Sequence, residues 1–118
     1  MSQEVYNIVK AKITTDDIKA FKAQAKRMAD AAQREHGTLV YDFFINEENK
    51  SVLIVEKYTD ANAFMAHMEQ FMKPDLIPQI LTMQEIVSIE MPGVISSEMK
   101  DFFAQDGFTY NAYPINIQ

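Results

Sequence analysis

Leu39-Val40-Tyr41-Asp42-Phe43-Phe44-Ile45, the polar loop Asn46-Glu47-Glu48-Asn49-Lys50, and Val52-Leu53-Ile54-Val55-Glu56-Lys57-Tyr58 follow one another without a break. Two short runs rich in β-branched and aromatic residues, joined by five polar ones, read as a β-hairpin. A sheet with one wet face alternates apolar with polar residues. Here Val52, Leu53, Ile54 and Val55 are apolar in succession, and Val40 and Phe44 fill one parity of the preceding strand while Leu39, Tyr41 and Phe43 fill the other. Both faces of this hairpin are therefore expected to be covered, one by the chain's own helices and the other by something else.

Working outward, Val5, Asn7, Val9, Ala11 and Ile13 share one parity of an earlier strand. Thr14 and Thr15, followed by Asp16 and Asp17, mark a helix start. Ile18, Phe21, Ala25, Met28 and Ala32 give that helix one buried stripe, and Gly37 is read as its stop. After the hairpin, Asp60 caps a second helix whose stripe is Phe64, Met68 and Phe71, with Pro74 behind it. A short helical piece is expected from Asp75 to Leu81, with Pro78 tolerated in its first turn. Glu85 to Met91 reads as a fourth strand, stopped by Pro92 and Gly93. The order β-α-β-β-α-β is the split arrangement of an α+β, ferredoxin-like domain, with both helices on one face of a four-stranded antiparallel sheet. Residues 1–93 form this domain. Residues 94–118 are expected to be an extension, with Ser96 or Ser97 capping a short helix that carries Met99, Phe102 and Phe103, packed on the domain or its partner. In a chain this short the economical cover for the second sheet face is another copy, which predicts a homodimer.

Composition narrows the function classes. The chain has 118 residues, 47% of them hydrophobic and 24% charged, which suits one core. Cysteine is absent, so disulfides, thiolate catalysis and cysteine-held metal are excluded, in keeping with a cytoplasmic location. The net charge is −6. Residues 1–73 carry 10 bases against 11 acids, and residues 74–118 carry only Lys100 against six acids. Nucleic acid is therefore not an expected partner, because phosphate binding needs clustered Lys and Arg. No apolar run approaches the roughly 18 residues needed to cross a bilayer, so a membrane is not expected either. The glycines at 37, 93 and 107 form no phosphate-binding loop, and His36 and His67 have no metal-type pairing.

The run Glu35-His36-Gly37-Thr38-Leu39-Val40-Tyr41-Asp42-Phe43-Phe44 resembles the second-strand signature of the antibiotic biosynthesis monooxygenase family. Leu53 through Met68 resembles its strand-to-helix signature, with aliphatics, Glu56, an aromatic, then alanines and His67. The resemblance covers roughly residues 4–91. It implies a dimeric α+β barrel with a ligand cavity in each protomer between helices and sheet. Family members include enzymes that oxidise quinol-like or polycyclic phenols without flavin or metal, so no cofactor is expected. Others degrade haem. Haem chemistry is disfavoured here, because those relatives carry Trp where His67 stands and take iron from a later His, which this chain lacks.

Residue chemistry supplies the candidates. His67 lies three residues after Phe64 and four before Phe71, beside the apolar stripe, and an imidazole there can take a proton from an acidic phenol. The plainer alternative is a helix-surface histidine bonded to a neighbour. Asn7 stands at mid-strand, where a buried amide needs partners. It roughly matches a functional Asn of the haem-degrading relatives, or else bonds to backbone at an edge or dimer face. His67 and Asn7 are the catalytic candidates. Tyr41, Glu56 and Tyr58, on adjacent strands, are candidate substrate contacts. A carboxyl at position 56 among apolar neighbours can act as a base, although a cross-strand or dimer ion pair is its plainer role. Phe43, Phe64 and Phe71 could line a pocket for a flat aromatic ligand or simply fill the core. The readings in order are a cofactor-independent monooxygenase acting on a small aromatic, a non-catalytic ligand-binding or stress-related dimer, and a haem-handling protein.

Overall fold

The computed structural model describes residues 3–118. Strand β1 (Val5–Ile13) leads into helix α1 (Ile18–Gln33), then the hairpin β2 (Thr38–Asn46) and β3 (Ser51–Tyr58). Helix α2 (Ala61–Phe71) and the single turn α3 (Ile77–Ile80) precede β4 (Gln84–Pro92). The extension forms α4 (Ser97–Gln105) and β5 (Asn111–Tyr113). The strands lie in the order β2-β3-β1-β4-β5. The four antiparallel strands are those read from the sequence. The sheet is nevertheless five-stranded and mixed, because β5 adds parallel to β4, with Glu90 opposite Asn111 and Pro92 opposite Tyr113. A parallel neighbour needs a long crossover, and α4 supplies it.

Local chemistry sets the helix ends. Asp60 accepts a hydrogen bond from the Ala63 amide at 2.8 Å and Ser96 from the Met99 amide at 3.2 Å, as their positions predict. The first helix differs. Asp17, rather than a threonine, accepts from the Ala20 amide at 3.0 Å, and the Thr15 hydroxyl accepts from the Asp17 amide. Gly37 is not the stop of α1, which ends at Gln33. Its role is close approach: a Cβ at position 37 would lie 2.5 Å from the Ala63 Cβ, so glycine lets the start of β2 press against α2. Gly93, at φ +97°, takes the left-handed conformation that turns the chain out of β4.

Val5, Asn7, Val9, Ala11 and Ile13 all face the helices, as do Val52, Ile54, Glu56 and Tyr58 of β3. In β4 the register slips between Lys10 and Ala11 of its neighbour, so that Val87 is the extra residue. This bulge reverses the parity of the strand. Gln84 and Ile86 face the helices before it, and Ile89 and Met91 after it. From α4, Met99 and Phe103 are buried in the same core. Phe103 lies 5.8 Å from the Phe64 ring and 4.7 Å from Tyr110. The opposite sheet face is open in the single chain, with Phe44 56% and Val87 69% exposed.

Candidate active site

Three strands place a polar row under the helices. Asn7 is opposite Glu56 across β1 and β3, and Glu56 is opposite Tyr41 across β3 and β2. Within it the Asn7 Nδ2 donates to Glu56 Oε1 at 3.1 Å, and the Tyr58 hydroxyl donates to the same oxygen at 2.5 Å. Glu56 is 4% exposed and, among the described residues of the single chain, forms no cross-strand ion pair. Burial pushes its carboxyl up to about 7, against the lowering effect of the hydrogen bonds from Tyr58 and Asn7. With both donors on Oε1, the proton of the neutral form belongs on Oε2. Burial, followed by the charges of Glu56 and Glu35, holds the Tyr41 phenol well above its usual range.

His67 projects from α2 toward this row. It is 1% exposed, so the surface alternative for it does not hold. Its ring stacks on Phe71 at 3.9 Å between centroids and lies 5.0 Å from Tyr58 and 5.3 Å from Tyr41. Nδ1 is 2.7 Å from Glu35 Oε1, an oxygen that also accepts from the Thr38 hydroxyl. Burial lowers the pKa of the imidazole, outweighing the opposing pull of Glu35. The shift favours the uncharged ring. A neutral imidazole beside a carboxylate donates from Nδ1, which leaves Nε2 with a free lone pair.

A cavity of about 60 Å³ lies between sheet and helices, bordered by Asn7, Tyr41, Glu56 and His67 and by apolar side chains from every layer. Asn7 Oδ1, His67 Nε2 and Gln84 Oε1 are buried with no hydrogen-bond partner among the described residues, and all three residues border it. Phe102, Phe103 and Phe108 of the extension form part of its wall. An apolar cavity of about 150 Å³ accommodates benzene. This one must widen to accept an aromatic ring.

The sequence candidates thus divide. Asn7, Tyr41, Glu56 and His67 meet at the cavity. Tyr58, Phe64 and Phe71 stand behind it: Tyr58 holds Glu56, Phe71 holds the His67 ring, and Phe64 packs edge-on against Tyr58. Phe43 does not border the cavity and packs against Tyr41 on its other side. Glu35 and Gln84 are not among the sequence candidates, and Phe102 and Phe103 are expected from sequence only to pack the extension against the domain or its partner. Glu35 opens the quoted Glu35–Phe44 run and carried a signal that was available. Gln84 carried none, since an isolated glutamine before a strand ordinarily faces solvent. Among the described residues no group of three His, Cys, Asp or Glu is placed to hold a metal ion.

The sequence model of the antibiotic biosynthesis monooxygenase family matches residues 4–71, more than half of the chain. The chain belongs to that family. Among curated proteins no sequence match was found. Solved structures of similar fold include MupZ from Pseudomonas fluorescens, at 20% identity and a TM-score of 0.80, covering 100% of this chain and 89% of that one. SnoaB, a cofactor-independent oxygenase from Streptomyces nogalater, was solved as its N63A mutant. It superposes at 0.63 with 14% identity, over 81% of this chain and 95% of its own. Rv0793 from Mycobacterium tuberculosis superposes at 0.63 with 16% identity, over 80% and 97%. At these identities the likeness is one of fold. As an antibiotic biosynthesis monooxygenase family member, the chain shares its architecture with an oxygenase, and its own residues must define its chemistry.

Proposed function

We propose that this protein is a cofactor-independent monooxygenase that oxidises a small quinol-like or polycyclic phenolic substrate with O2. One observation carries the reading: the lone pair of His67 Nε2 and the Asn7 carbonyl, both buried and unpartnered among the described residues, border the same apolar cavity. A phenol, or the enol form of an anthrone-like ketone, seated there gives its proton to Nε2, while Glu35 on Nδ1 stabilises the imidazolium that forms. Asn7 orients a substrate hydroxyl through Oδ1. The apolar walls strengthen these contacts and exclude water. The resulting anion is electron-rich enough to reduce O2. For a ring CH2 converted to a carbonyl, one oxygen atom enters the substrate and the other leaves as water. The substrate supplies all four electrons, so no further reductant is needed.

Oxygen uptake by metal-free protein over a panel of quinols and anthrones, with and without added flavin or haem, tests the proposal. His67→Ala is expected to lower turnover by about 100-fold or more, the usual contribution of a general base. Unchanged turnover excludes His67 from that role. A second reading rests on Glu56. A carboxyl at about 7 donates a proton as readily as it accepts one, so Glu56 and His67 together also suit redox-neutral acid–base chemistry. Product formed without oxygen uptake favours that reading. Under either, the working unit is proposed to be a homodimer in which a second copy covers Phe44, Leu53 and Val87, exposed apolar residues on the outer sheet face.

A further inference from the structure

Polar groups border the cavity at two well-separated positions. Gln84 pairs with Ile13, six residues along β1 from Asn7, which puts the two positions about 20 Å apart at the usual rise of a strand. Between them the lining is apolar, with Val9, Ile54, Ile80 and Ile89. Asn7, Glu56 and His67 stand at one of these positions. At the other, Gln84 is 5% exposed and its Oε1 has no donor among the described residues. Buried amide carbonyls are almost always paired, and one that is not, facing a cavity, is a site waiting for a partner.

We propose that Gln84 is a specificity residue that reads a hydroxyl on the end of the substrate remote from the reacting phenol. This rests on the proposed function and narrows it: the substrate is elongated, apolar in the middle and polar at both ends. A hydroxyl suits the position because it can donate to Oε1 or, with the amide turned over, accept from Nε2. The apolar middle fixes the length of the molecule, and Gln84 rejects analogues of equal length that end in a methyl group. Rejection of this kind is strong because the missing group leaves a buried polar atom unpaired.

Binding of two probes, 4-(6-hydroxyhexyl)phenol and 4-hexylphenol, to wild type and to Gln84→Leu tests the assignment, with Gln84→Met as a second variant of similar shape. The ratio of the two dissociation constants is expected to move about fivefold or more toward the hexyl probe in both variants, the worth of one net hydrogen bond. An unchanged ratio overturns the proposal, as does failure of wild type to bind either probe. Because the readout is binding, it separates from catalysis. A normal ratio shift without oxygen uptake would refute oxygenation alone, and oxygen uptake without a ratio shift would refute the role of Gln84 alone.

Discussion

Glu56→Gln isolates the carboxyl at the centre of the polar row. Glutamine keeps the shape and accepts the same hydrogen bonds, but it cannot ionise. In the folded protein the carboxyl titrates at about 7, against 4.5 when free. Between those values the folded state holds a proton that the unfolded chain has released, so stability must fall as pH rises. The full span, at 1.36 kcal/mol per pH unit, amounts to about 3 kcal/mol. Of this, about 2.5 kcal/mol falls between pH 5 and pH 8. His67 works in the opposite sense. Its lowered pKa means that the unfolded chain binds its proton more readily, which adds stability as pH rises through the ordinary histidine range. Measuring wild type and variant side by side cancels that contribution. Urea unfolding at pH 5 and pH 8 is the assay. The stability of wild type relative to Glu56→Gln is expected to be about 2.5 kcal/mol lower at pH 8 than at pH 5. A difference that stays constant within about 0.5 kcal/mol between the two pH values would refute the claim that burial raises the proton affinity of this carboxyl.

Two further predictions concern packing. Gly37→Ala drives a methyl into Ala63 and should cost about 1–3 kcal/mol by urea unfolding, and Ala63→Gly in the same chain should recover most of it. No cost, or no recovery, would show that Gly37 is not there for close approach. Leu53→Lys adds a charge to the outer sheet face without touching the helix-facing core, and, if the proposed dimer forms through that face, sedimentation should report dimer for wild type and monomer for the variant. A variant that stays a stable dimer places the interface elsewhere.

Much of the frame was legible locally. Asp60 and Ser96 cap the helices they precede because a short side chain at a helix entrance meets free amides whatever lies around it. The parity of β1 put Asn7 in line with Val5 and Val9, and the helical spacing put His67 beside Phe64 and Phe71. Both follow from backbone geometry alone. Where a signal depended on distant partners it failed. Gly37 read as a helix stop because its contact, Ala63, lies on another element. The bulge at Val87 reverses the face of β4, and no residue type there announces it. Asn46 to Lys50 spoke for a hairpin, but nothing in Asn111-Ala112-Tyr113 announced pairing with β4.

The same division holds for the site. The sequence by itself determined which chemical groups are available: one imidazole on the second helix, one amide and one carboxyl on neighbouring strands, and no thiol. Only the tertiary structure decided their state. Closing the helices and α4 over the sheet removes water from Glu56 and His67 together, raising the proton affinity of the carboxyl and lowering that of the ring. Solvation belongs to the whole surroundings of a group rather than to its place in the chain. A residue's identity is therefore written in the sequence, and its charge at neutral pH is set by what folds around it.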